Sequence, residues 1–185
     1  ECLFRGFSGW RRGTYFIWNV YLEAFPDEEG ALISRGACKI ETADNTGAIV
    51  DFDAAIKLNA KNPVSYNYRG VAKGESRQFV EALKDFDYAI KLKYDYAGAF
   101  VNRAAVKFAS KDKHGACDDL NKADSLGDEM AIQLIETYCK HQWLGINTNA
   151  RINANIDSYI RARFLIQIKW EPPYLEKPIL TLLTA

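Results

Sequence analysis

The chain is poor in the residues that usually carry chemistry. Its 185 residues include one methionine and two histidines, His114 and His141. Neither histidine stands near a nucleophile or a ligand partner at a useful spacing. No phosphate-cradling glycine loop, no Gly-x-Ser-x-Gly and no His-Glu-x-x-His occurs. The four cysteines, Cys2, Cys38, Cys117 and Cys139, contain no Cys-x-x-Cys pair. That spacing argues against a zinc site or a thioredoxin-like motif. An excess of either charge is also missing: 24 basic and 24 acidic residues give a net charge of zero and a pI near 7.0. A basic balance is the usual footprint of a nucleic-acid binder. Here only Arg161, Arg163 and Lys169 form a small basic cluster. No hydrophobic run is long enough to span a membrane. The apolar run at residues 15–21 falls well short of the roughly 20 residues needed. The chain begins at Glu1 rather than methionine, which reads as a fragment or a processed form. The expectation is a chain with no catalytic, cofactor or metal site, no membrane span and no nucleic-acid partner. Compartment and oligomeric state stay open.

What is present is repetition. Hydrophobic content of 48% and charged content of 26% are those of a globular protein. Within residues 29–130 the same pattern occurs three times with a step of 34. Gly36, Gly70 and Ala104 share one register position, and Ala48, Ala82 and Ala116 another. Phe52, Phe86 and Leu120 keep the step, as do Ala55, Ala89 and Ala123, and Leu58, Leu92 and Leu126. So do three charged sets: Arg35, Arg69 and Arg103; Lys39, Lys73 and Lys107; Asp51, Asp85 and Asp119. Ala48, Ile49, Phe52, Ala55 and Ile56 recur at helical spacing and make one apolar stripe. One helix pair cannot bury such a stripe alone, but stacked neighbours can. Small residues at 36, 70 and 104 let paired helices approach closely.

The stretches Tyr68-Arg69-Gly70-Val71-Ala72-Lys73 and Ala82-Leu83-Lys84-Asp85-Phe86-Asp87-Tyr88-Ala89-Ile90 resemble the two helices of a tetratricopeptide repeat, a 34-residue helix–turn–helix unit. The resemblance covers three units, 29–62, 63–96 and 97–130, and a half unit after them. It departs from the family pattern at Ala60, Tyr94 and Asp128, where proline is usual, and at Ala104 and Asp124. It implies an all-α solenoid of antiparallel helix pairs, coiled into a short right-handed superhelix and closed by a capping helix. It also implies a non-catalytic protein-interaction module or assembly scaffold. An alternative is a positioning domain within a larger enzyme or envelope assembly.

Taken in order, residues 1–28 lie outside the repeat and are rich in aromatics. Their simplest reading is a helix over 14–25 that covers the first unit. A membrane-surface helix is the alternative, and Arg11 and Arg12 hint at a targeting segment without a cleavage site after it. The repeat predicts helices over 30–42 and 46–59, 64–76 and 80–93, and 97–110 and 114–126. Asp44-Asn45-Thr46 forms the first turn, and Pro63 suits a helix start. Gly127 ends the sixth helix and Asp128 caps the next. A cap is expected over 128–140, with Ala131, Leu134, Ile135, Tyr138 and Cys139 on its apolar side. Residues 141–185 form a second extension. Asparagines suggest loop there, and Phe164, Ile166, Ile168 and Trp170 alternate in a manner closer to a strand than a helix.

The family's concave face is lined by the first helix of each unit. In this register its candidates are Ile33, Asn67, Tyr68, Val71, Val101, Asn102 and Phe108, with Ser34, Ala37, Ile40, Val64, Glu75 and Ala105 beside them. An apolar groove with a few amides suits an extended peptide or a helix face. Asn67 and Asn102 could each grip a peptide backbone through two hydrogen bonds. The competing reading is that the apolar groups pack against the terminal extensions. Some family members hold a chaperone tail's carboxylate with Lys, Asn, Asn, Lys and Arg. The matching positions here are Ile33, Ala37, Tyr68, Gly98 and Asn102, so that clamp is not expected. The recurring Arg and Asp sets read as a ladder of ion pairs joining the helices of each unit, in preference to a basic stripe for a ligand. Asp53 and Asp87 read as solvated or ladder carboxylates. Cys38 and Cys117 fall on apolar faces, where buried thiols are the simple reading. Cys117 and Cys139 lie on consecutive helices and are expected to come close enough for a disulfide, which requires a Cα separation below about 7 Å.

Overall fold

The computed structural model describes Leu22 and residues 28–139. The expected helix over 14–25, the alternating segment at 164–170 and both extensions lie outside the described residues, apart from Leu22. That leucine is helical and buried in the core around the first two units. Seven α-helices follow: α1 (Glu29–Glu41), α2 (Asn45–Leu58), α3 (Pro63–Glu75), α4 (Phe79–Leu92), α5 (Ala97–Ala109), α6 (Lys113–Ser125) and α7 (Glu129–Leu134). A π-helical turn, Ile135–Cys139, continues α7. There is no strand among the described residues. First helices start at Glu29, Pro63 and Ala97, and second helices at Asn45, Phe79 and Lys113. The step in the sequence is therefore also the step in the structure.

Local chemistry sets the ends. The side chains of Asp44 and Asp112 accept hydrogen bonds from the Gly47 and Gly115 amides, at 2.9 and 3.0 Å. Each satisfies an amide that the first helical turn leaves without a partner. Asn62 does the same for Val64, and Pro63 occupies the first turn, where a missing N–H costs nothing. Asp128 accepts from both Met130 and Ala131. Each first helix closes through one left-handed residue: Ala43, Arg77 and Lys111, with φ of 63°, 60° and 71°. Around them the amides of Ala43 and Asp44 donate to Ile40 and Lys39, and the pattern recurs at Arg77–Gln78 and Lys111–Asp112. Gly127, at φ 86°, closes α6 in the same way.

Each helix packs on the next along the chain, and α1, α3 and α5 also touch one another in turn, forming one face of the stack. Phe52, Phe86 and Leu120 fill the space between paired helices and are fully buried. Burying a side chain of this size contributes about 2–3 kcal/mol. The pairing is tight at two glycines. A β-carbon at Gly36 would stand 2.6 Å from Phe52 Cε1, and one at Gly70 would stand 2.8 Å from Phe86 Cε1. In the third unit Ala104 and Leu120 share the core cluster in place of glycine and phenylalanine. A smaller partner leaves room for the extra methyl.

Candidate interaction face

The face built by α1, α3 and α5 carries the residues singled out from the sequence, in matching register. Ile33, Tyr68 and Val71 belong to the core cluster around units one and two. Tyr68 stacks on Phe52, with ring centroids 5.8 Å apart and planes 13° off parallel. Val101 is buried in the cluster around unit three. Phe108 is half-buried against that cluster, its ring tilted on Tyr138 at 5.7 Å. Ala37 and Ile40 are buried as well, whereas Ser34, Val64, Glu75 and Ala105 keep partial exposure. Six of the seven candidates are thus buried, and only Phe108 keeps partial exposure.

The amides differ from the sequence expectation. Asn67 is 3% exposed and Asn102 is 1% exposed. Asn102 Nδ2 donates to Asn67 Oδ1 at 3.0 Å, and Asn67 Nδ2 donates to the Tyr96 hydroxyl at 3.3 Å. Asn67 therefore has its acceptor and a donor engaged inside the chain instead of offering a free bidentate grip. Asn102 Oδ1 is buried with no hydrogen-bond partner. The third member, Tyr96, was not found from the sequence. It sits just before α5, where the other units have Glu28 and Asn62, so no repeated pattern marks it.

Beside this face runs the ion-pair ladder. Arg35, Arg69 and Arg103 each hold an aspartate of their own unit through two nitrogens, at 2.5–2.9 Å: Asp51, Asp85 and Asp119 respectively. Lys39, Lys73 and Lys107 reach the same three carboxylates at 2.7–2.8 Å. Those aspartates are buried, and three charge-assisted contacts hold each one. Two further links join units. Arg69 Nη1 donates to Asp53 at 2.7 Å, and Arg103 Nη1 to Asp87 at 2.6 Å. The sequence leaves Asp53 and Asp87 as solvated or ladder carboxylates, and the structure puts both in the ladder, each sixteen residues before its arginine. The next rung has no charges to make it: Asn121 replaces the aspartate and Thr137 the arginine.

Burial by itself lowers the pKa of Arg69, but hydrogen bonds and charges from Asp85 and Asp53 outweigh it, and the net direction is upward. For Arg103 burial is likewise outweighed, by Asp119 and then Asp87. Every arginine and lysine of the three first helices is committed to the ladder or to its carboxylates. None is left over to clamp a terminal carboxylate. Among the described residues no cluster of His, Cys, Asp or Glu is arranged to hold a metal ion. No helix among them is long and apolar enough to cross a membrane.

At the end of the stack Cys117 and Cys139 form a disulfide, with a Cα–Cα distance of 5.9 Å. The expected approach of these two residues is what brings it about. Cys38 and Cys117 are not the free thiols that their apolar faces suggested; Cys38 too is disulfide-bonded.

No family model and no curated protein sequence matches the chain. Solved structures do match it. The crystal structure of MamA superposes with a TM-score of 0.63 at 18% identity, covering 84% of this chain and 87% of that one. The first tetratricopeptide domain of Spaghetti (RPAP3), bound to the HSP90 peptide SRMEEVD, gives 0.57 at 21%, covering 62% and 92%. YrrB, described as a tetratricopeptide protein with an unusual peptide-binding site, gives 0.61 at 17%, covering 69% and 66%. Likeness at this level of identity establishes architecture, and the architecture agrees with the register read from the residues: the chain has the tetratricopeptide-repeat fold.

Proposed function

We propose that the chain is a non-catalytic protein-interaction module that takes an extended peptide or a helix of a partner protein along the face of α1, α3 and α5. The observation that carries this reading is the alignment of three equivalent first helices into one face, in a fold whose solved examples include a peptide complex. A face of regularly stepped helices suits a ligand read by shape at regular intervals. Fold similarity alone does not assign a ligand, so the residues have to define it. Val64, Ala105 and Phe108 make first contact. The buried Ile33, Tyr68, Val71 and Val101 set the shape of the floor, and the Tyr96–Asn67–Asn102 chain keeps that floor rigid. With all basic groups of the first helices engaged, the ligand is recognised by apolar contact and not by a terminal carboxylate.

The test is affinity capture from a lysate of the source organism with three full-length baits, each shown by circular dichroism to be folded. One is wild type, one carries Val64→Glu with Ala105→Glu, and one carries Val50→Glu with Val80→Glu on exposed positions of the second helices. Partners lost only from the first variant support the reading. Partners lost only from the second move the site to the second helices and overturn it.

A further inference from the structure

We propose that the Cys117–Cys139 disulfide is a redox latch that holds the cap closed over the end of the stack. α7 spans six residues and the π turn five, and only Ala131 and Leu134 within them are fully buried. Ile135, Tyr138 and Cys139 pack partly buried against the same cluster as these two, so the cap is held by side-chain packing together with the covalent bond. Its outer side, including Ile132, Gln133, Glu136 and Thr137, faces solvent. The ladder that ties the other units together stops short of it, at Asn121 and Thr137. The covalent bond to α6 takes its place. It closes a separation of 22 residues and joins α6 to the π turn.

Beneath the cap lies an apolar surface: Phe108, Ala116 and Leu120 share one cluster with Leu134, Ile135 and Tyr138. Opening the cap exposes this surface, the same kind of face that joins one unit to the next. Both cysteine residues keep partial exposure at the end of the stack. The reaction is exchange with a dithiol. Its thiolate attacks one sulfur of the pair and the other cysteine leaves as a thiolate. The second thiol then resolves the mixed disulfide. Two electrons and two protons pass to Cys117 and Cys139, and the dithiol becomes a disulfide. The latch thus makes the accessibility of the stack's end depend on redox state.

Hydrogen exchange on the full chain tests this in three states: oxidised wild type, wild type reduced with dithiothreitol, and a Cys117→Ala, Cys139→Ala variant kept oxidising. The variant opens this bond while leaving Cys38 as it is. The expected result is a loss of amide protection over residues 129–139, on the order of a hundredfold, in both the reduced protein and the variant. Residues 45–92 of the variant keep their protection, and a hydrophobic dye binds the variant but not the oxidised protein. Unchanged protection over 129–139 in the variant would overturn the latch. So would a general loss across all units, which would make the bond a staple of the whole fold. Free thiols at 117 and 139 in protein purified without reductant would overturn it as well.

Discussion

Arg69 holds Asp53, sixteen residues before it, in the same hydrogen-bonding reach as Asp85, sixteen residues after it. One guanidinium thereby joins α3 to the second helix of its own unit and to that of the preceding unit. Lysine's single ammonium has no planar fork with which to serve two carboxylates in fixed directions.

The two halves of this contact are expected to differ in worth. Asp85 is 5% exposed, whereas the Asp53 side chain is 45% exposed. Removing Arg69 by Arg69→Ala leaves Asp85 buried with only Lys73, and the expected loss is about 3 kcal/mol in urea unfolding. Asp53→Ala severs only the solvent-screened half and is expected to cost less than about 1 kcal/mol. Equal losses would contradict the division.

The pH dependence follows from the direction of the shift. A cation whose folded pKa is raised contributes stability that is fully present below its unfolded pKa. That contribution is lost only as pH rises through the folded value. For Arg69 both lie beyond the range where the protein is handled, so its contribution is constant from pH 7 to about 11. Arg69→Lys places an ammonium with an ordinary pKa of about 10.4 at the same point. The melting-temperature difference between wild type and this variant is expected to widen as pH rises above about 10.4. A constant difference would show that the charge at 69 is not what the variant lacks.

Gly70 and Phe86 are expected to behave as one unit. Gly70→Ala drives a methyl into the Phe86 ring, since the added carbon would stand 2.8 Å away, and overpacking of this kind costs about 1–3 kcal/mol. Phe86→Leu leaves a cavity and costs about 1–2 kcal/mol. The double variant recreates the pair found at Ala104 and Leu120. Its cost is therefore expected to fall below the sum of the two by about 1 kcal/mol or more. Simple additivity in a double-mutant cycle would refute the pairing.

Ala43 carries a left-handed backbone at φ 63° on an exposed turn. Glycine accepts that conformation without the steric cost of a β-carbon. Ala43→Gly is expected to raise stability by about 0.5–1 kcal/mol, the backbone strain relieved exceeding the entropy gained by the unfolded chain. The same change at Ala48, which is helical and fully buried, is expected to do the opposite. Parallel denaturation curves of the two variants decide it.

The helices were legible in the residues because their signals are local. Apolar spacing, Asp44, Pro63, Gly127 and Asp128 act within a turn of where they stand, and the 34-residue step multiplies each signal by three. The expected boundaries agree with the observed ones to about a residue. The within-unit ion pairs were legible for the same reason: Arg and Asp recur together, and only the helix pair of one unit needs to be imagined.

The sequence by itself thus determined the repeat, its helix pairs, the tight contacts at Gly36 and Gly70, and the partners Arg35–Asp51, Arg69–Asp85 and Arg103–Asp119. Only the tertiary structure decided what the face of α1, α3 and α5 offers. The amides Asn67 and Asn102 read as open donors one at a time, and stacking turned them toward each other and toward Tyr96. Whether a polar group is free depends on which side chains meet it across units, and no pattern within one unit records that. Asp53 and Asp87 were open between solvated and ladder carboxylates, and the arginine of the next unit decided for the ladder.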